Sequence, residues 1–409
     1  MQQEAIGRSV SRIENMERHE ETTLARSERL LDEVRELVPA IRARAALADE
    51  ERQVSEATMR ELRAVNAFRV LQPRRYGGLE LGFDSLVKLA ILLGEACSST
   101  GWMAIVLNTG WMTACFSERA QEEVWGTSPG ANVATSFTPT REIKQVEGGY
   151  RISGEWQFTS GVHHVEHVIL GGLLFNDGPP QFLFFLVSKA DFTIVDDWHT
   201  VGLRATGSAT TVVRDVFVPK HRTITLPDLR EGTTPGSKVH ANPLYRAPLG
   251  LVFPISIASP VIGAAKGGLF QWREHMVKRR QHGIFPVHEY VPNQLRIAEA
   301  ACEIESAELL LLRDAQEAMA LIRSDEHATP EKRARSYRDA GYAVKLCQQA
   351  IERLFQVSGG HSVYAGNPIQ RAWRDVHAAG AHVSLRWDEA AERWGRAELG
   401  LKQNNAFFY

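Results

Sequence analysis

Apolar positions recur three and four residues apart early in the chain: Leu30, Leu31, Val34, Leu37, Val38 and Ile41 form one stripe of an amphipathic helix. A second apolar helix is predicted at 83–96, after Pro73-Arg74-Arg75-Tyr76-Gly77-Gly78 breaks the pattern with a turn. From about residue 131 the period shortens. Strands are predicted at Tyr150-Arg151-Ile152-Ser153, Val168-Ile169-Leu170, Phe182-Leu183-Phe184-Phe185-Leu186-Val187, Phe192-Thr193-Ile194-Val195 and Thr210-Thr211-Val212-Val213 running on to Val216-Phe217-Val218, with turns at Glu147-Gly148-Gly149 and Asn176-Asp177-Gly178-Pro179-Pro180. Short, evenly spaced strands predict a small sandwich or barrel. Beyond a Gly-, Thr- and Pro-rich loop at 228–242, helical spacing returns, most clearly at 299–323, 330–357 and 371–399. The chain therefore divides into a polar arm at 1–22, a helical domain at 23–130, a β-domain at 131–232 and a helical bundle at 233–409. The arm is either frayed or an oligomer contact. A groove between β-domain and bundle is the expected seat for a flat ligand.

Composition narrows the class. A formal charge of −2 argues against a nucleic-acid surface. Cys97, Cys115, Cys302 and Cys347 are too far apart for a C-x-x-C zinc site or a disulfide framework, so a reducing cytoplasm is expected. The N-terminus lacks the apolar core of a signal peptide. No continuous apolar run is expected to span a membrane. A Walker loop, a nucleophile elbow and a strand followed by G-x-G-x-x-G are all missing from the sequence.

The chemistry-bearing segments lie elsewhere. Gln356-Val357-Ser358-Gly359-Gly360 places a Gly pair in a helical run, Arg371-Ala372-Trp373-Arg374-Asp375 follows, and His382 stands seven residues past Asp375. On a continuous helix Asp375 and His382 would share a face. Glycines for close approach, arginines for an anion and a titratable ring suggest a cofactor clamp with an acid/base at its end. Trp156-Gln157-Phe158-Thr159-Ser160-Gly161 reads as a strand ending in hydroxyls, suited to the edge of an isoalloxazine ring, although taken alone it reads first as an ordinary strand turn. Gly202-Leu203-Arg204-Ala205-Thr206-Gly207-Ser208 is a tight loop of exposed donors or a plain turn. Arg279-Arg280-Gln281-His282-Gly283 either complements a helix dipole or holds a phosphate. His163, His164 and His167 lack Asp or Cys companions, so a place beside a substrate is expected of them and a metal is not.

These segments together resemble the acyl-CoA dehydrogenase superfamily over nearly the whole chain, on Pro73 to Gly78, Trp156 to Gly161, Gly202 to Ser208, Arg279 to Gly283, Gln356 to Gly360 and Arg371 to Asp375. The resemblance implies an α+β fold: an N-terminal α-helical domain, a middle β-barrel or sandwich domain and a C-terminal four-helix bundle, assembled as a homotetramer. It implies flavin between β-domain and bundle. Trp156, Phe158, Arg204, Thr206 and Ser208 would be cofactor-binding, with Gln356, Gly359 and Gly360 approaching the flavin tail of a neighbouring subunit and Arg279 near its phosphate. True dehydrogenases of the superfamily often carry a catalytic Glu where this chain has Val383, beside His382, and Asp388 is too far along.

That departure is similar to a different branch, the oxygenase components of two-component flavin-dependent monooxygenases. This branch includes hydroxylases of 4-hydroxyphenylacetate and of steroid-derived phenols, and dibenzothiophene monooxygenases. Cys97-Ser98-Ser99-Thr100-Gly101-Trp102, Thr135-Ser136-Phe137-Thr138-Pro139-Thr140, Ser160-Gly161 with His164, and Trp373-Arg374-Asp375-Val376-His377 through His382 carry the likeness. The resemblance implies reduced flavin (FMNH2 or FADH2) delivered by a separate NAD(P)H-dependent reductase. With O2 as co-substrate, it would oxygenate a small aromatic molecule through a C4a-hydroperoxyflavin. His382, Ser160 and Thr159 would then be catalytic, and Trp102, Ser136 and His164 would line the substrate pocket. Where some phenol hydroxylases carry a second His, this chain reads Leu107-Asn108-Thr109-Gly110-Trp111. An acyl-CoA dehydrogenase or oxidase, and a nitrogen- or sulfur-oxygenating relative, are the alternatives.

Overall fold

The computed structural model describes all residues except Met1, Arg141, Asn176, Asp177, His282, Gly283, Asp325 and 403–409, and gives only the backbone of 2–22. The expected turn at Asn176-Asp177 and the His282-Gly283 end of the arginine motif lie outside the described residues, as do the side chains of the N-terminal arm.

The first helix, α1 (Gln2–Glu51), buries Leu30, Leu31, Val34 and Ile41, the stripe its spacing predicts. Helix α2 (Glu56–Ala64) starts on Ser55, whose hydroxyl accepts from the Thr58 amide. Helices α3 (Phe83–Ala96), α4 (Ser98–Asn108) and α5 (Glu118–Trp125) follow. Every residue of α4 is buried, so the Cys97–Trp102 motif sits inside the molecule.

Eight strands come next: β1 (Val133–Thr140), β2 (Glu142–Val146), β3 (Gly149–Trp156), β4 (His167–Leu174), β5 (Gln181–Ser188), β6 (Thr193–Val195), β7 (Thr210–Pro219) and β8 (Thr223–Thr225). They form two four-stranded sheets, ordered β1-β4-β5-β8 and β2-β3-β7-β6. The pairing of β1 with β4 is parallel and the others are antiparallel. Trp156 joins the two sheets. Its side chain is wholly buried, and its indole N–H donates to Gly171 O of β4 at 2.7 Å. Strands β1, β2 and β8 escape the sequence reading because β1 mixes hydroxyls and Pro139 with apolar residues, β2 is mostly exposed and β8 has three residues.

After α6 (Leu226–Glu231), helix α7 (Leu249–Lys278) runs through the core. It holds an 18-residue window apolar enough to cross a membrane, which corrects the expectation that no such stretch exists; 83% of that window is buried by the protein itself. Helix α3 crosses α7 through glycines. A Cβ on Gly263 would collide with Ile91 O and with the Gly94 backbone, and one on Gly267 with Glu95 O. The short strands β9 (Arg280–Gln281) and β10 (Phe285–Pro286) form a small hairpin. Then come α8 (Val291–Arg323), α9 (Pro330–Gln356), α10 (Pro368–Gly380) and α11 (Trp387–Glu398). Helices α7 to α10 pack as a bundle, and α11 rests on α9.

Two expectations are corrected here. Residues 371–399 are two helices, since α10 stops at Gly380. His382 has extended backbone (φ −61°, ψ 133°), and its ring caps the next turn by accepting from the Ser384 amide. His382 and Asp375 therefore do not share a helix face. The Gly pair lies past the end of α9, with Gly359 in a conformation (φ 79°) that favours glycine.

Candidate functional site

Strand β3 ends at Trp156, and the chain turns sharply through Phe158 (φ 60°) and Gly161 (φ 74°). Thr159 is wholly buried and its hydroxyl donates to Trp156 O at 3.0 Å, so it holds the turn and has no proton left for a ligand. Ser160 faces the second loop. Its Oγ lies 2.6 Å from Ser208 Oγ, which lies 2.6 Å from Thr206 Oγ1, and Thr206 donates to Leu203 O at 2.8 Å. The Gly161 amide donates to Thr206 O at 3.0 Å. The two loops singled out in the sequence are thus one hydrogen-bonded unit. Arg204 sits beside the chain, half-buried, and its Nε has no partner among the described residues. Phe158 is 63% exposed, edge-on to Trp198 at 5.9 Å. Trp156, by contrast, belongs to the intersheet core, and its side chain faces no crevice.

Within the arginine motif, Arg374 and Asp375 hold other parts of the protein. Arg374 pairs with Asp49 of α1 at 2.8 Å and donates to Val201 O at 2.6 Å. Buried Asp375 accepts from the Leu203 amide at 2.7 Å. Burial raises the Asp375 carboxyl to about 6, opposed by that amide. These contacts fasten α10 to the loop at 202–208. Arg371 forms no ion pair or hydrogen bond through its side chain among the described residues.

Helix α4 is the wall common to the loops and the imidazole. Gly161 packs on Met103, where a Cβ would crowd the thioether, while Trp102 meets the His382 ring at 5.9 Å between centroids. Phe253 of α7 closes the other side of His382 at 6.1 Å and packs in a tilted arrangement at 5.0 Å against Phe137 of β1. Desolvation among these rings lowers His382, which keeps some exposure at its edge, to about 4. Its Nδ1 accepts from Ser384, so the neutral ring carries its proton on Nε2 and presents a donor there. Behind Phe253 and Phe137 lies a narrow hollow lined also by Ile105, Trp111, Met112 and Val252. Asn108, on the same lining, is fully engaged: it accepts from the Val70 amide and donates to Ala67 O and Ala104 O. Ser136 points away from the hollow and donates to Gln157 O at 3.1 Å. His164 is buried, 3.3 Å from Gln53 Nε2, and desolvation lowers it to about 4.

Arg279, Gln356, Gly359 and Gly360 form a separate cluster. Arg279 donates to Ser358 O at 2.8 Å and lies over Gly359, where any Cβ would strike the guanidinium. Gln356 donates to Glu352 at 3.0 Å, and Gly360 is open. Helix α7 separates Arg279 from Phe253 by 26 residues, about 39 Å at 1.5 Å per residue. The expected single clamp of Gly pair, Arg pair and His382 is therefore two distant places on one chain. Sequence reasoning missed Phe253 and Asp49 and quoted Phe137 only as part of the Thr135–Thr140 motif, with no role; each is an ordinary apolar or acidic residue until the fold brings it to the crevice.

Comparison with known proteins bears on this geometry. The model of the acyl-CoA dehydrogenase N-terminal domain matches residues 25–127, and that of the C-terminal domain matches residues 255–387. The oxygenase component of an FADH(2)-dependent resorcinol hydroxylase from Rhizobium sp. is 36% identical, over 93% of this chain and 96% of the relative. The flavin-dependent monooxygenase oxygenase subunit HsaA of Rhodococcus jostii is 35% identical, over 89% and 97%. Among solved structures, the HsaA monooxygenase of M. tuberculosis superposes with a TM-score of 0.87 at 34% identity, covering 93% of this chain and 99% of that one. XiaF from Streptomyces sp., solved with FADH2 and glycerol, gives 0.88 at 29% identity, covering 95% and 99%. Fold, loop geometry and these likenesses agree: the chain belongs to the flavin-dependent monooxygenase oxygenase components built on the acyl-CoA dehydrogenase fold.

Proposed function

We propose that this protein is the oxygenase component of a two-component monooxygenase that hydroxylates a small aromatic molecule with reduced flavin and O2. One observation carries the reading: α4 holds Gly161, at the head of the hydroxyl chain, on Met103, and His382 on the adjacent Trp102. A flavin-facing loop and a proton-bearing ring so flank one helical turn. The residues present fit a flavin. Ser160 offers a polar edge, Arg204 an unpartnered guanidinium Nε and Phe158 an exposed ring. Bound reduced flavin would supply the electrons and the centre that activates oxygen. Around it, Trp102, Phe253 and Phe137 exclude water, and His382 Nε2–H would hydrogen-bond the substrate's ring oxygen.

The hollow adds a substrate preference. Its lining carries no charged side chain, and the side chain of Asn108 is already satisfied. As it stands the hollow has room for about one water, so a substrate would have to part the rings that line it; an uncharged phenol matches such a lining, whereas a carboxylated one would bury an unpaired charge. Titration of the flavin-free protein, followed by tryptophan fluorescence, is expected to give at least about 100-fold weaker binding for 4-hydroxybenzoate than for 4-methylphenol. Equal affinities would contradict the assignment.

The relatives' names and the Arg279–Gly359 cluster support FAD over FMN. The cluster is too distant to touch the same flavin ring as His382 and suits a longer tail held across a homotetramer contact. Apolar residues exposed on the C-terminal helical part, among them Ile284, Val291, Leu295 and Leu309, support such an assembly. A separate NAD(P)H-dependent reductase would supply the flavin, and the four free cysteines suit a reducing cytoplasm. Val383 stands where dehydrogenases often carry their base and Asp388 is exposed, which weighs against the dehydrogenase alternative. Mixing the protein with photoreduced FAD and aerated buffer is the direct test. Oxidised-flavin absorbance should reappear with a protein-dependent delay, and an aromatic product should form; reoxidation at the free rate would overturn the reading.

A further inference from the structure

We infer that the indole N–H of Trp111 is a second substrate-binding donor, which selects a neutral phenol carrying another hydrogen-bond-accepting oxygen on the far side of its ring; this rests on the substrate reading above. A buried tryptophan normally pairs its N–H. Among the described residues Trp102, Trp111, Trp125, Trp156 and Trp272 are buried. Trp125 donates to Ala131 O at 3.3 Å, Trp156 to Gly171 O at 2.7 Å and Trp272 to Leu354 O at 2.9 Å. Trp102 and Trp111 alone of the five have no acceptor, and neither N–H is walled off by protein atoms. Trp102 stands against His382, outside the lining of the hollow, so its N–H belongs to the reacting end. Trp111 lies beyond the end of α4 and lines the hollow itself.

Every other side-chain donor of that lining is spent. Asn108 gives its amide protons to Ala67 O and Ala104 O, Thr109 gives its hydroxyl proton to Val106 O, and Ser256 donates to Val252 O at 2.7 Å. Trp111 is thus the one side-chain donor on the lining without an acceptor among the described residues. It is only 5% exposed, and an unmet donor at that depth costs free energy until a ligand meets it. Its direction is fixed in advance, because the ring is held edge-on to Phe83 at 5.5 Å. An indole N–H donates only and carries no charge. A carbonyl, ether or hydroxyl oxygen meets it, whereas an alkyl group leaves it bare. With His382 Nε2–H at the ring oxygen, Trp111 gives the substrate a second point of attachment, and two points fix the ring's orientation where one does not.

Equilibrium dialysis of the whole, flavin-free protein against 4-hydroxyacetophenone and 4-isopropylphenol tests the donor, in mildly acidic buffer where both phenols are neutral. The two are alike in shape and differ by a carbonyl oxygen in place of a methyl group. The unaltered protein should bind the ketone about five- to tenfold more tightly, because the alkyl group strands the N–H. Trp111→Phe keeps an aromatic ring and removes the donor. The preference for the ketone should vanish, with 4-isopropylphenol still binding within about twofold of the unaltered protein. Thermal melting checks that the variant is folded, and Trp111→Leu takes its place should the phenylalanine variant not melt cooperatively. If neither phenol binds the unaltered protein, the substrate reading itself fails and takes this inference with it. If both bind equally, or the preference survives in the folded variant, Trp111 is a packing residue only and the substrate reading stands.

Discussion

At the scale of single residues, two titratable groups report the site's environment. The His382 imidazole, held at about 4 by burial, lies below the ordinary histidine value near 6.5. Its folded pKa is depressed, so its contribution to stability is present above about 6.5 and lost as pH falls toward 4. An NMR titration should find this ring neutral at pH 6; a midpoint between 6 and 7 would contradict its enclosure. His382→Ala should reduce coupled hydroxylation by about 10²-fold or more, as loss of a positioned donor does, with reduced-flavin affinity unchanged. Asp375 behaves in the opposite sense. Its carboxyl is raised to about 6, so its stabilising effect is complete below about 3.9 and fades as pH rises through 6. Asp375→Asn keeps an acceptor for the Leu203 amide and should flatten stability between pH 4 and 7. Asp375→Ala strands that buried amide and should cost about 1–3 kcal/mol, seen in urea denaturation. Of the residues expected at the site, Ser160, Thr206, Ser208, Trp102 and His382 come together around α4, whereas Trp156, Thr159 and Arg374 serve the packing.

Whole elements show what glycine does in this fold. Helices α3 and α7 meet backbone to backbone at Gly94, Gly263 and Gly267. Gly263→Val should therefore force the pair apart and destabilise by at least about 1–3 kcal/mol. Gly395, inside α11, has nothing within 4 Å of a would-be Cβ. Gly395→Ala should stabilise by about 0.5–1 kcal/mol, through helix propensity and a stiffer unfolded chain. Thermal melts of the two variants, shifted in opposite directions, are the check; a shift of the same sign would show that the crossing is not limited by backbone contact. Periodicity in the sequence located α3, α8, α9 and most long strands, because a buried stripe repeats with the element's own geometry. It ran 371–399 together because the side chains on both sides of Gly380 and His382 remain amphipathic, and only backbone dihedrals break the helix.

For the molecule as a whole, the separation between the Arg279–Gly359 cluster and His382 is the decisive dimension. On the reading proposed above, a cofactor touching both would do so across protomers. Arg279→Ala should accordingly weaken FAD binding about tenfold, by loss of a cation near the tail, and leave 4-methylphenol binding unaltered. Equilibrium dialysis of the two ligands separates these effects, and equal loss of both would place the cluster in the substrate pocket. Analytical ultracentrifugation supplies the companion measurement, since a monomer at all concentrations would remove the neighbour that the proposed arrangement invokes.

The sequence by itself determined the order of helical, sheet and helical parts, the buried stripes and the types of residue at the two loops. Those features are local: each follows from period, turn chemistry or composition within a few dozen residues. The tertiary structure alone decided that the hydroxyls of the two loops meet, that Arg374 pairs with Asp49, and that Phe253 meets both His382 and Phe137. These depend on contacts between residues more than a hundred positions apart in most cases. No periodicity encodes such distances; the close packing of α4 and α7 against the sheets does.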